Sequence, residues 1–203
     1  MQYNIIAASA FALILVATPA IAQQSPTVRV RGIIESVNGQ VLSVKGRDGA
    51  MLTVKLADNA RVSTVVKKSL ADVKQNSFVG ITAMPQPDGT QKAVEIHIFP
   101  EAMRGTGEGH RPWDLMPNST MTNANVDSVV ASVDGKTLVL KYKDGEKTFS
   151  VPANVEVVMF APASMSDLKP GGHIFVARAK KLPDGTFEAS GITVGRDGVN
   201  PPM

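Results

Sequence analysis

The stretches VRVRGIIESVNGQVLSVKGRDGAMLTVKL (28–56) and VDSVVASVDGKTLVLKYKDGEKTFSV (126–151) run the same course. Each reads strand, Asn/Asp-Gly turn, strand, Asp-Gly turn, strand. Asn38-Gly39 aligns with Asp134-Gly135, and Asp48-Gly49 with Asp144-Gly145. A tight hairpin turn needs positive φ, which Gly and Asn adopt at little steric cost, so these pairs mark β-hairpins. Between the turns apolar residues fall at every second position, as in Leu52, Val54 and Leu56, or Leu138 and Leu140. Period two means strands with one buried and one wet face.

The correspondence continues outward. Asn59 aligns with Asn154, Ser69-Leu70-Ala71-Asp72 with Ser164-Met165-Ser166-Asp167, and Asp88-Gly89 with Asp184-Gly185, at an offset of 95 or 96 throughout. Self-similarity at this detail is the signature of an internal duplication. Ser69 and Ser164 each stand three residues before an aspartate, which predicts a capped helical turn. Apolar strands follow at 78–84 and 173–179, and alternation returns at Val94, Ile96 and Ile98 and at Ile192 and Val194. A meander, a helical turn and two more strands predict a small barrel of five or six strands, closed so that its edges vanish. The expected fold is therefore all-β: a tandem duplication of a barrel of the oligonucleotide/oligosaccharide-binding (OB-like) type with one short helical turn per copy. Two small β-sandwiches are the alternative. The expected domains are a signal peptide at 1–22, a first barrel at 23–99, a connector at 100–124, a second barrel at 125–195 and a loose tail at 196–203.

Gly32-Ile33-Ile34, the Asn38-Gly39 turn, Asp72-Val73-Lys74, Asp88-Gly89 and Ala93-x-x-Ile96 resemble exported bacterial small β-barrel repeat proteins of unknown function. The second copy fits through Asp134-Gly135, Asp167-Leu168-Lys169-Pro170-Gly171 and Asp184-Gly185. It departs at the first strand, where Asp127-Ser128 stands near the family's glycine. The block HIFPEAMRGTGEGHRPWD (97–114) is similar to a segment of small alphaproteobacterial exported proteins, some of them labelled metal-transporter related. A permease needs several membrane spans, and no stretch after the N-terminus could supply one.

Residues 5–17, IIAASAFALILVA, followed by Pro19 and the small residues Ala20 and Ala22, read as a signal peptide cleaved after Ala22. The expected location is periplasmic or secreted, with no stable membrane insertion after cleavage. The chain contains no cysteine, so it must hold itself by a packed core. Its formal net charge of +3 is mild, and its basic residues are scattered. With few aromatics and no basic arm, no nucleic-acid partner is expected.

The connector PEAMRGTGEGHRPWDLMPNSTMTN (100–123) belongs to neither copy. Gly105, Gly107 and Gly109 lack the lysine and following helix of a phosphate loop. Arg104, Glu108, His110, Arg111, Trp113 and Asp114 are the candidate surface for an envelope protein or a small ligand. Trp113 and the methionines are also suited to clasping the barrels, with Arg111 or Arg104 over the indole. His97, Met103, His110, Met116 and Met121 are the candidate metal donors. Imidazole and thioether together suit a copper ion, and Glu95, Glu101, Glu108 and Asp114 could serve a harder one. Because Ile96 and Ile98 share the buried face of their strand, Glu95 and His97 point the other way, toward the connector. No cofactor is expected beyond that copper alternative. The leading expectation is a non-catalytic exported accessory or adaptor protein binding another envelope component. Its alternatives are a copper-type metal-binding protein and a hydrolase with a carboxylate facing His97 or His110.

Overall fold

The computed structural model describes residues 27–132 and 135–201. The expected signal peptide lies outside the described residues, as do Val133 and Asp134 of the second copy's first turn. The described chain is all-β, as the alternation predicts. Its strands are β1 (Thr27–Asn38), β2 (Val41–Gly46), β3 (Met51–Lys68), β4 (Phe78–Pro85), β5 (Gln91–Ile98), β6 (Gly109–Pro112), β7 (Thr120–Ser132), β8 (Gly135–Tyr142), β9 (Gly145–Pro152), β10 (Glu156–Pro162), β11 (His173–Lys181) and β12 (Phe187–Gly195). Single 3-10 turns lie at Leu70–Asp72, Glu101–Met103 and Met165–Asp167.

The first and third turns carry the capping boxes expected from Ser69 and Ser164. The amide of Ser69 donates to Asp72 Oδ2 at 2.9 Å and that of Ser164 to Asp167 Oδ2 at 2.8 Å. The first hairpin differs from expectation by one residue. Asn38 pairs with Val41, so Gly39 (φ 58°) and Gln40 occupy the turn.

The strands close into two rings. In the first, β1 pairs with β2, β2 with β3, β3 with β12, β12 with β11, and β11 with β1. All contacts are antiparallel except β3–β12. The second ring runs β7, β8, β9, β5, β4 and back to β7, and closes through the short parallel contact of Gln91 with Phe149 and Lys92 with Ser150. Each barrel thus takes its three-stranded meander from one half of the chain and its closing hairpin from the other. The expected boundaries 23–99 and 125–195 do not coincide with these rings. The exchange follows from β3, which runs on for 18 residues without a Gly or Pro. It carries the chain out of the first barrel before β4 begins.

The crossing point has near-twofold character. The outer end of β3 pairs antiparallel with β10, from Ser63 opposite Pro162 to Lys68 opposite Val157. Val65 faces Phe160 in this ladder, and these two residues are equivalent at the offset that aligns Asn59 with Asn154. In the second half Pro152 interrupts the corresponding strand, leaving β9 and β10 as separate pieces.

Each barrel has its own core. The first is filled by residues such as Ile34, Leu42, Val54, Ile174 and Ile192, the second by Ile81, Ile96, Leu138, Leu140 and Phe149. A third cluster, Val65, Phe78, Phe99, Val158, Phe160 and Phe175, lies where the exchanged strands cross. The connector is less separate than its sequence suggests, because β6 adds to β7 from Gly109 opposite Asn123 to Pro112 opposite Thr120. The tail, expected to be loose, folds back over its described part. Val199 packs on the third cluster, Pro201 is buried, and Arg196 pairs with Asp167 at 3.5 Å.

Candidate functional site

A cavity of about 850 Å³ opens between the barrels beside the third cluster. β1 and β11 of the first barrel form one side. β5, β7, β10 and the connector form the other.

Strand alternation sets its floor. On β5, Ile96 and Ile98 pack inward, while Glu95 and His97 take the opposite face, as the sequence predicts. That face is covered, leaving Glu95 1% and His97 3% exposed. Across the sheet His97, Gly80 and Asn123 lie in one row, and Glu95, Thr82 and Met121 in the next. Glu95 Oε1 lies 2.9 Å from His97 Nδ1, and Glu95 Oε2 accepts the Thr82 hydroxyl at 2.8 Å. A carboxylate only accepts hydrogen bonds, so an ionised Glu95 holds the proton of neutral His97 on Nδ1 and leaves Nε2 as an acceptor. Nε2 makes no hydrogen bond among the described residues. Phe99 and Phe160 meet the imidazole edge to face, at centroid distances of 4.9 and 5.6 Å.

Gly80 makes this placement possible. A Cβ there would stand 1.9 Å from His97 Nε2 and 2.7 Å from Asn123 Oδ1. Asn123 is buried, and its amide nitrogen donates to the Thr106 carbonyl at 2.9 Å. Its Oδ1 is buried without a partner among the described residues, and so is Trp113 Nε1. A buried polar atom without a partner costs about 1–3 kcal/mol, so two of them on residues lining one cavity are informative.

The connector supplies the remaining wall. Trp113 packs edge-on against Phe175 at 6.4 Å, and Arg29 lies 3.9 Å over its ring. Arg111 is 5.4 Å from the same ring and donates to the Gly107 carbonyl at 2.7 Å. Burial, then the nearby charge of Arg29, lowers the pKa of Arg111. Asp114 accepts from Arg31 at 2.9 Å and lies 3.6 Å from Arg29. Burial pushes its carboxyl up, but the Arg31 hydrogen bond and the two arginine charges prevail and hold it below the usual range. Glu108 accepts the Lys143 amide at 3.0 Å. Arg178, exposed at the mouth, has no partner among the described residues.

The structure divides the sequence candidates. Glu108, Arg111, Trp113 and Asp114 line the cavity together with His97 and Met121. Arg104 does not. It is bound by Glu101, by the Asn125 side chain and by the Asn76 carbonyl. His110 takes the other face of β6 and bonds Thr122 through Nδ1 at 2.8 Å. Met103 packs on the third cluster, and Met116 sits in a turn closed by Ser119. The five proposed metal donors therefore do not converge. Among the described residues, no group of three His, Asp or Glu side chains could hold a metal ion. Of the two arginines expected over the indole, Arg111 is there and Arg104 is not, and Arg29 joins it from β1.

Sequence reasoning missed Gly80, Asn123, Arg29, Arg178, Phe160 and Phe175. Gly80 carried a usable signal, since a glycine inside an apolar strand marks close approach of another group. The others come together only through the strand exchange. Comparison with protein-family models, with curated proteins and with solved structures finds no match for this chain.

Proposed function

We propose that this is a non-catalytic binding protein of the cell envelope whose small ligand occupies the cavity between the barrels. One observation carries the reading: Asn123 Oδ1 and Trp113 Nε1, both buried and unpartnered, lie on residues that line one cavity. Both atoms are closed to water in this structure, so a ligand removes that cost where small side-chain shifts open them to it. The cavity's size and mixed aromatic and polar lining suit a small organic molecule. Placement in the envelope rests on the N-terminal apolar stretch alone.

Two alternatives have some support. His97 and Met121 face the same cavity, so a Cu(I) ion would find an imidazole and a thioether there. The Glu95–His97 pair has the orientation of a general base, but Nε2 bonds no hydroxyl among the described residues. Among the described residues a hydrolase reading would therefore need a water as its nucleophile.

Titration with 1-anilinonaphthalene-8-sulfonate, following energy transfer from the single tryptophan, tests the proposal. Saturable one-to-one binding is expected, with loss in Ala177→Phe, which fills the mouth. Absence of saturable transfer in the folded protein would remove the organic-ligand reading. Tight stoichiometric Cu(I) binding that His97→Ala abolishes would replace it with the copper one.

A further inference from the structure

We propose that the ligand is a small aromatic anion with a hydrogen-bond donor at the end remote from its charge, such as a hydroxylated aromatic carboxylate. This rests on the binding reading above and adds the chemistry of the ligand.

The cavity has three zones. At the floor, His97 and Asn123 are 3% and 5% exposed. The Asn123 amide nitrogen is committed to Thr106, which leaves Oδ1 as the unbonded acceptor of that side chain. His97 Nε2, which bonds nothing among the described residues, is an acceptor when the proton of the neutral ring sits on Nδ1 against Glu95. Both atoms crowd the face of Gly80. Two neighbouring acceptors call for a donor, such as a hydroxyl.

The middle is aromatic. Phe99, Phe160, Phe175 and Trp113 line it, and their rings favour a planar apolar body. Trp113 Nε1 adds one unanswered donor.

The mouth is basic. Arg29, Arg111 and Arg178 line it against Glu108 and Asp114. Both carboxylates are engaged, Asp114 with Arg31 and, at 3.6 Å, with Arg29, and Glu108 with the Lys143 amide. Arg178 has no partner among the described residues. An anionic group there gains charge-assisted hydrogen bonds, while a cation would meet three guanidiniums. Donor, flat body and anion in that order describe the proposed class.

Calorimetric titration with 4-hydroxycinnamate, cinnamate and methyl 4-hydroxycinnamate tests it. The hydroxy acid should bind tightest. Cinnamate, which leaves the floor acceptors unanswered, should bind about tenfold more weakly, and the ester should also lose affinity. Arg178→Ala, a change at an exposed position, should weaken the acid and leave the ester unchanged. Equal binding of all three compounds, or an Arg178→Ala effect of equal size on acid and ester, would overturn the proposed class. Failure of all three while anilinonaphthalenesulfonate still binds would overturn it too, leaving the binding reading in place. Failure of all four would overturn both.

Discussion

Gly80 is the residue on which the floor of the cavity depends. Any β-carbon there collides with His97 Nε2 and Asn123 Oδ1. Gly80→Ala should destabilise the protein by about 1–3 kcal/mol, as overpacking does, and should abolish ligand binding. Chemical denaturation and the titrations above read both effects. Two titratable groups give further tests. Glu156 stands opposite Glu95 in the parallel ladder of β5 and β10. Burial, and then the charge of Glu95, raises its pKa. A raised carboxylate pKa weakens folding where the group is ionised and does nothing where it is protonated in both states. Glu156→Gln should therefore raise Tm at pH 7 to 8, and the gain should vanish near pH 4. The pKa of His110 is lowered, by burial first and then by Lys147 and Arg111. Its ring proton shifts in NMR should titrate below the free histidine value of about 6.5, and a midpoint above that value would contradict its placement. At this scale the sequence was partly legible. The shared face of Glu95 and His97 followed from period two. Their burial did not, since it depends on the connector and the first barrel.

At the scale of elements, the helical turns were readable because a capping box is local. Ser69 and Asp72 need only each other, and the structure repeats the arrangement at Ser164 and Asp167. The Ser69 and Ser164 amides and hydroxyls lower the pKa of both aspartates. Their stabilisation is present above the unfolded carboxylate pKa and is lost as pH falls through the folded one. The connector was harder to read. β6 is a four-residue strand with a proline at its end, too short for alternation to declare itself. β10 was hidden too, because its partners are the far end of β3 and the exchanged β5. Phe160 on β10 stacks on Phe99 at 5.2 Å and meets His97. Phe160→Ala should cost about 3–4 kcal/mol in urea denaturation, because the third cluster binds the two barrels together.

At the scale of the whole molecule, an all-β barrel architecture was legible and the pairing of its strands was not. The closing hairpins β4–β5 and β11–β12 share an Asp-Gly turn and differ by one residue per strand, so either would serve either meander by local criteria. Exchange of equivalent elements keeps nearly the same contacts and is a low-cost rearrangement. Here it builds the cavity by setting β1 and β11 of one barrel against β5 and β7 of the other. Because the protein lacks cysteine, engineered disulfides can show which hairpin closes which barrel. Thr27 lies opposite Lys180 across β1 and β11. Without exchange, Met84 of β4 would take that place, as the offset of 96 between Asp88 and Asp184 indicates. Oxidation of the Thr27→Cys/Lys180→Cys protein should give a cross-linked monomer that folds normally, and Thr27→Cys/Met84→Cys should not cross-link. Cross-linking of the second pair within one chain, in place of the first, would show that each half closes its own barrel and would contradict the exchanged architecture and the cavity built on it.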